Sequence, residues 1–437
     1  MLPAFHRCAL VALAISLCGI AKAENWPSWR GPTGNGISTE KNLPAEWSPT
    51  NNIAWKLPLP GPAGATPVVW GDRIFLTSVN SADELVLMAI DTSGKQVWQQ
   101  VVSKGNKKAR EDAKTEAEGN SASPSPVTDG KHVWTFMGNG TLACYTVTGE
   151  EVWKTDVQDR YGKFSIQFGM SSTPVLEDGV LYLQLIHGEG NPATREACVV
   201  ALDGITGKQI WKVDRPSDAN GENEHSYASA MLYRDGNKKL LLTHGADFII
   251  AHDLMDGHEV WRCGGLNRRD DPSMKYDTTL RFVASPVSVP GLIIAPSAKQ
   301  HPVLAIRPDG QGDITNVTEK HLWAWKRTPD VPTPVIVDDL VYLCMENGNL
   351  TVLEAKSGEE IYSQATHRSR HRASPVYADG KIYMTARDGK VNVVQAGRQF
   401  KILAENDLGE DQSASPAISN GTIYMRTFQH LWAIRQQ

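Results

Sequence analysis

The stretch ALDGITGKQIWKVD, Ala201 to Asp214, decides the fold, because relatives of it recur along the whole chain. Its landmark is a glycine with an aromatic four residues later. The spacing repeats unchanged at Gly94 and Trp98, Gly149 and Trp153, Gly207 and Trp211, Gly257 and Trp261, and Gly358 and Tyr362. A second landmark alternates with it, a Ser or Thr followed by Pro and usually Val: Thr66-Pro67, Ser125-Pro126, Thr173-Pro174, Ser285-Pro286, Thr333-Pro334, Ser374-Pro375 and Ser415-Pro416. A degenerate Ala228-Ser229-Ala230 fills the one large gap and brings the copies to eight.

Between landmarks, runs such as DRIFLTSV, GVLYLQLI, DLVYLCME and GKIYMTAR alternate with period two and are rich in Val, Ile, Leu and Tyr. Turn pairs such as Asp129-Gly130 and Asp379-Gly380 separate them. Such runs read as short antiparallel strands joined by hairpins. Copies start 41 to 59 residues apart, which is room for four strands each and the period of propeller blades. The expected fold is therefore all-β: an eight-bladed β-propeller of four-stranded antiparallel blades. In each copy the glycine takes positive φ at the end of a tight turn. The aromatic then packs on the neighbouring blade, contributing about 2 to 3 kcal/mol of burial, and its reading is structural glue before ligand contact.

The chain ends after Leu431-Trp432-Ala433-Ile434, one strand short, while Asn52 to Leu57 looks like GKQIWKVD without its turn. The N-terminal strand is expected to complete the eighth blade, closing the ring and leaving no sheet edge open at the seam. The Gly- and Pro-rich segment Asn25 to Gly36, within residues 24–51, is expected to form an irregular cap.

The first residues bear on the compartment. A basic start at Met1 to Arg7, an apolar run from Cys8 to Ile20 and Ala21-Lys22-Ala23 have the form of a secretory signal over residues 1–23. The other reading is a membrane anchor, but the run is shorter than the roughly 20 residues a spanning helix needs. An exported protein, periplasmic or extracellular and soluble, is expected, with no transmembrane segment after cleavage. The formal charge of -5 becomes about -7 once Arg7 and Lys22 leave, which argues against nucleic acid as a partner. Cys144, Cys198, Cys263 and Cys344 lie far apart without metal-ligand spacing. Buried thiols are expected, with one disulfide as the alternative. The mixed-charge insertion from Lys104 to Glu118 reads as a solvated helix or loop.

With Ala201, Asp203, Thr206, Gly207, Lys208 and Trp211 spelling out Ala-x-Asp-x-x-Thr-Gly-Lys-x-x-Trp, the chain resembles the pyrroloquinoline quinone (PQQ) repeat family over essentially its whole mature length. WPSWRGPTGNG, NSASPSPVTDGKHVW and ASPAISNGTIYMRT look most like the exported PQQ-like propellers of the planctomycete type, described as similar to BamB. The resemblance implies the fold but not an activity, since quinoprotein dehydrogenases and quinone-free propellers share the motif. A PQQ dehydrogenase requires a cation such as Ca²⁺, oxygen ligands, a proton-accepting carboxylate and a stacked ring. The adjacent cysteines of the family's alcohol dehydrogenases are missing from this sequence, as is the haem motif C-x-x-C-H. Asp270, Asp271 and Asp277 are candidate carboxylates that solvation alone also explains.

Segments entering the innermost strands should cluster at one mouth of the central channel. They bring Lys163, His225, Arg281, Arg370, His371 and Arg372 as candidates for a site. The alternative is a hydrated polar rim, and a bound ligand would be anionic. Neither a catalytic nor a metal-binding residue is assigned. The leading expectation is a non-catalytic interaction scaffold for exported or envelope proteins, with no cofactor. The alternatives are a PQQ- and Ca²⁺-dependent alcohol or sugar dehydrogenase and a carbohydrate-binding propeller, for which Trp26, Trp29, Trp323 and Trp325, outside the glycine spacing, are the aromatics to place.

Overall fold

A computed structural model describes residues 24–106, 119–166, 169–187, 197–267 and 279–437. The signal-like segment, Asp270, Asp271, Asp277 and most of the Lys104 to Glu118 insertion lie outside the described residues. The architecture is an eight-bladed propeller: seven four-stranded sheets and one five-stranded sheet. Blade 3 is typical, with strands Val175–Glu177, Val180–Ile186, Ala197–Asp203 and Gln209–Asp214 paired in sequence order from the channel outward. The ring closes as the sequence implies. Ile53–Pro58 pairs antiparallel with His430–Ile434 as the outermost strand of blade 8, with Trp55 opposite Ala433 and Leu57 opposite Leu431.

Adjacent blades are locked by the aromatic landmark. Each indole is covered by the glycine of the following blade, Trp98 by Gly149, Trp153 by Gly207 and Trp211 by Gly257. Each also donates its Nε1–H to a carbonyl of that blade's turn, at 3.0 Å from Trp98 to Val147 and 2.8 Å from Trp153 to Gly204. Trp323 proves to be the fifth blade's copy of this device, covered by Gly358 and bonded to Ala355 O at 2.9 Å. It escapes the glycine spacing because an insertion replaces the usual turn before it. That insertion covers Trp261 through Gly310, and its Gly312–Asp313 adds a parallel fifth strand to the outer edge of blade 4. Blade 4 keeps its four antiparallel strands and carries this short parallel strand in addition.

The cap crosses one mouth of the channel. Trp26 exchanges backbone bonds of 2.8 Å with Val69 of blade 1, and Ser38 N–H reaches Tyr377 O of blade 7 at 2.9 Å. Arg30, fully buried, donates to Pro334 O at 3.0 Å and Pro375 O at 2.8 Å.

All four described cysteines are free and buried. Burial pushes the thiols of Cys144, Cys263 and Cys344 up to about 12. Since the thiolate is the nucleophile, none of these three should react with iodoacetamide at pH 8 in the native state. All should react in denaturant, and mass spectrometry of both samples checks this.

Candidate functional site

Each Ser/Thr-Pro landmark starts an innermost strand, because proline supplies the fixed φ of an extended entry and has no N–H to leave unpaired. The residue before it was a punctuation mark in the sequence and is a structural element in the fold. Seven of the eight landmark residues donate their N–H to the hydroxyl of the landmark in the next blade: Thr66 to Ser125, Ser125 to Thr173, Thr173 to Ser229, Ser229 to Ser285, Ser285 to Thr333, Thr333 to Ser374 and Ser374 to Ser415, at 2.9 to 3.1 Å. The degenerate copy at Ser229 is a full member. Sequence reading missed this series, whose one trace in the sequence is the hydroxyl that every copy retains.

These eight hydroxyls wall a channel cavity of about 360 Å³. Residues two positions before each landmark form a second tier around the same cavity: Gly64, Ser123, Ser171, Tyr227, Val283, Val331, Arg372 and Ser413. In an extended entry strand, positions two apart share a face, so both tiers look inward. The hydroxyl tier is uniform and the outer tier is mixed, with hydroxyls on one side, Val283 and Val331 on the other, and Arg372 between blades. Trp29 borders this cavity and also the one that the cap encloses at the opposite mouth, so its ring divides the channel. The cavity is thus a cup with an indole floor.

Of the six candidates, Arg281, Arg370 and Arg372 line the cup. Lys163 is exposed and paired with Asp159 at 2.6 Å. His225 is half-buried, which lowers its pKa, and does not line the cup. His371 is fully buried, its Nδ1 3.0 Å from Ser369 O, and burial lowers its pKa as well. The arginines are matched by acids: Arg281 to Glu222 at 3.2 Å, Arg370 to Glu346 at 3.1 Å, and Arg372 to Asp330 at 3.8 Å and Glu346 at 3.7 Å. Lys299 bridges Asp330 and Glu346 at 3.5 and 3.4 Å. Burial, reinforced by Glu346, raises the pKa of Asp330. Burial works against the charge of Glu346 too, but its hydrogen bond with Asp330, together with Lys299 and Arg370, holds it down. Asp330 is the member of this pair that holds a proton more readily.

The remaining aromatics also have places. Trp26, within the cap, is fully buried against blade 1, and Trp325 lies on the outermost strand of blade 5 beside Lys326. Trp29 is the member of the set that reaches the channel.

This geometry can be set beside known proteins. The family described as outer membrane protein assembly factor BamB, a PQQ-like repeat family, matches residues 37–123, 86–323 and 309–437. The chain belongs to that family. BamB of Yersinia pestis is 25% identical over 214 residues, 39% of this chain and 53% of that protein. A polyvinylalcohol dehydrogenase of a Pseudomonas species is 25% identical over 202 residues, 44% of this chain and 29% of that protein. The chain thus spans about half or less of the length of these curated relatives. The crystal structure of BamB from Moraxella catarrhalis superposes with a TM-score of 0.62 at 14% identity, covering 87% of this chain and 99% of that one, a likeness of fold.

The PQQ-like repeat makes PQQ a group to test against the residues. A cation that polarises a quinone carbonyl needs several oxygen ligands. The carboxylate lining the cup is Glu222, and Arg281 already engages it. Among the described residues the group with metal-ligand proximity is Asp253, Asp256 and His258. It sits on an outer turn of blade 4, where His258 Nδ1 already lies 2.6 Å from Asp256. The described lining of the cup does not fit a quinone with its cation.

Proposed function

We propose that this protein is a non-catalytic exported propeller that acts as an interaction scaffold, receiving extended apolar segments of envelope proteins on the outer edges of blades 1 to 3. One observation carries the reading. The large hydrophobic side chains most exposed among the described residues are Val97, Val101, Val152, Ile205, Ile210 and Met255, and all lie on the outer strands or turns of four successive blades. Val97, Val152 and Ile210 occupy one register position, next to the docking indole. The equivalent Val260 of blade 4 is half-covered, and there the outer edge already carries a parallel strand, Trp261 opposite Gly312. Blade 4 thus shows in cis the strand addition that open sheet edges invite. The name of the family, assembly factor, supports the partner class.

The test uses the full chain with a photo-cross-linking residue at Val152 or Ile210, and at exposed Glu405 on the outer strand of blade 7 as control. An outer-membrane β-barrel protein diluted from urea serves as the probe. Cross-links are expected at the first two positions and not at Glu405, and Ile210→Asp should cut protection of the probe from aggregation several-fold. Equal cross-linking at all three positions would overturn the edge assignment. Dye reduction with added PQQ, Ca²⁺ and an alcohol or sugar would overturn the non-catalytic reading.

A further inference from the structure

One open edge of the propeller repeats, almost residue for residue, an edge that is already occupied. The outer strand of blade 4 reads Glu259-Val260-Trp261-Arg262 and that of blade 2 reads Glu151-Val152-Trp153-Lys154. Both have the same register on the strand inside them, with Trp261 opposite Ala251 and Trp153 opposite Cys144. Each also carries the same ion pair along its length, Arg262 to Glu259 at 2.5 Å and Lys154 to Glu151 at 2.7 Å. Blade 4 holds the added strand Gly312–Asp313 against this edge, whereas among the described residues Glu151–Asp156 is the last strand of its sheet.

The occupied edge shows what the open one would accept. Gly312–Asp313 runs parallel to Glu259–Cys263, with Gly312 opposite Trp261 and Asp313 opposite Arg262. Ile314 N–H donates to Arg262 O at 2.8 Å, and Gly264 N–H donates to the Thr315 hydroxyl at 2.8 Å. The outward carbonyl thus belongs to the residue after the indole, and the shared register puts the Lys154 carbonyl on the open side of blade 2. Asp313 adds to Glu259 in stabilising the charge of Arg262, so the ion pair within the strand leaves room for a second acid from the added one. With its edge covered Trp261 is fully buried, while Trp153 is half-buried and Val152 is 39% exposed. The neighbouring edges lack part of the set. Blade 1 has Gln96 and Gln99 where blade 2 has Glu151 and Lys154, and blade 3 keeps Lys212 but has Gln209 in place of the glutamate.

We infer that the outer edge of blade 2 seats an extended segment of an exported partner that enters parallel to Glu151–Asp156 and sets an aspartate or glutamate opposite Lys154, with a small residue opposite Trp153. Resting on the edge reading of blades 1 to 3, this fixes the direction of the added strand and its one charged position, and it places the seat on blade 2. In strand addition the main-chain bonds supply affinity and the side-chain positions supply the choice of partner. A lysine or arginine at the acid's position would face Lys154 directly, and like charges opposite one another destabilise a strand pair.

The test uses the full chain with a photo-cross-linking residue at Val152 and, as probe, a capped peptide copying Gly310 to Val317, in which Asp313 is the single charge. A strand with its aspartate opposite Lys154 brings the residues before the aspartate to position 152 when parallel and those after it when antiparallel, and mass spectrometry of the adduct separates the two. Adducts on the N-terminal side of the aspartate are expected. Lys154→Glu should lower the yield about three- to tenfold, and the peptide with Asp313→Lys should restore it, with the melting temperature checking that the variant folds. Adducts after the aspartate, a yield that Lys154→Glu leaves unchanged, or no recovery with the reversed peptide overturn the inference and leave the edge reading standing. A peptide that gives no adduct at Val152 overturns it as well: if the β-barrel protein still cross-links there, the edge reading stands without it, and if neither does, both fall.

Discussion

Replacing Trp261 by alanine should lower the unfolding free energy by about 3 to 5 kcal/mol, the range for deleting a large buried aromatic. Trp261 is fully buried in the core between blades 4 and 5, with Ile306 and Ile314 of blade 5 in the same cluster. Its Nε1–H meets Pro308 O at 3.2 Å, and that carbonyl would lose its donor. Collapse around the cavity is restricted on both sides: Gly310 lies against the indole, and the added strand Gly312–Asp313 holds the outer edge. Trp261→Phe retains most of the burial and loses the hydrogen bond, so about 1 to 2 kcal/mol is expected. Urea unfolding followed by circular dichroism measures both variants. A cost for Trp261→Ala below about 1.5 kcal/mol would mean that the indole does not anchor the blade, which contradicts its burial.

The repeat made the fold legible because both landmarks are responses to geometry that every blade shares. A turn ending at positive φ calls for glycine, and a blade face calls for a flat ring. Trp323 was misplaced because legibility depended on spacing, and the insertion before it moved the partner glycine elsewhere. The fifth strand of blade 4 was invisible for a related reason, since two residues of extended chain leave no periodic signal. Within the cup, Arg370 and Arg372 stand four and two residues before Ser374, and Arg281 stands four before Ser285, so alternation along an extended entry brings them to the channel. His371 falls on the odd position and turns into the core, close to Gly348. His225 follows directly on the 3₁₀ turn Gly221–Glu224, which breaks the alternation. Counting back in twos from each landmark would have separated Arg370 and Arg372 from His371. The hydroxyl series could not be read from that trace alone, because the sequence shows a recurrent Ser or Thr but not that its oxygen faces the neighbouring blade's N–H.

Gly94→Ala and Gly380→Ala should differ in cost by about 1 to 3 kcal/mol, although both change the same residue type in a turn. Both glycines have positive φ, 91° and 71°, so alanine meets a backbone penalty of about 1 to 2 kcal/mol at each. At Gly380 a Cβ would meet nothing within 4 Å, and the penalty ends there. At Gly94 it would stand 2.6 Å from Cδ2 of Trp55, too close for a contact that the ring can accept without moving. Trp55 is not free to move. Its strand is the one that closes the propeller, its Nε1–H is held by Thr92 O at 2.9 Å, and its ring packs 6.0 Å from Tyr424. The extra overpacking cost, typically 1 to 3 kcal/mol, therefore falls on the seam between the first and last blades, bringing Gly94→Ala to about 2 to 5 kcal/mol in total. Chemical denaturation of both variants gives the difference, and amide hydrogen exchange locates it. The amides of Ile53–Pro58 should lose protection in Gly94→Ala and keep it in Gly380→Ala. Equal costs in the two variants would mean that the seam yields around the added methyl, and the ring would then be held shut by the Ile53–Pro58 ladder without help from the docked indole.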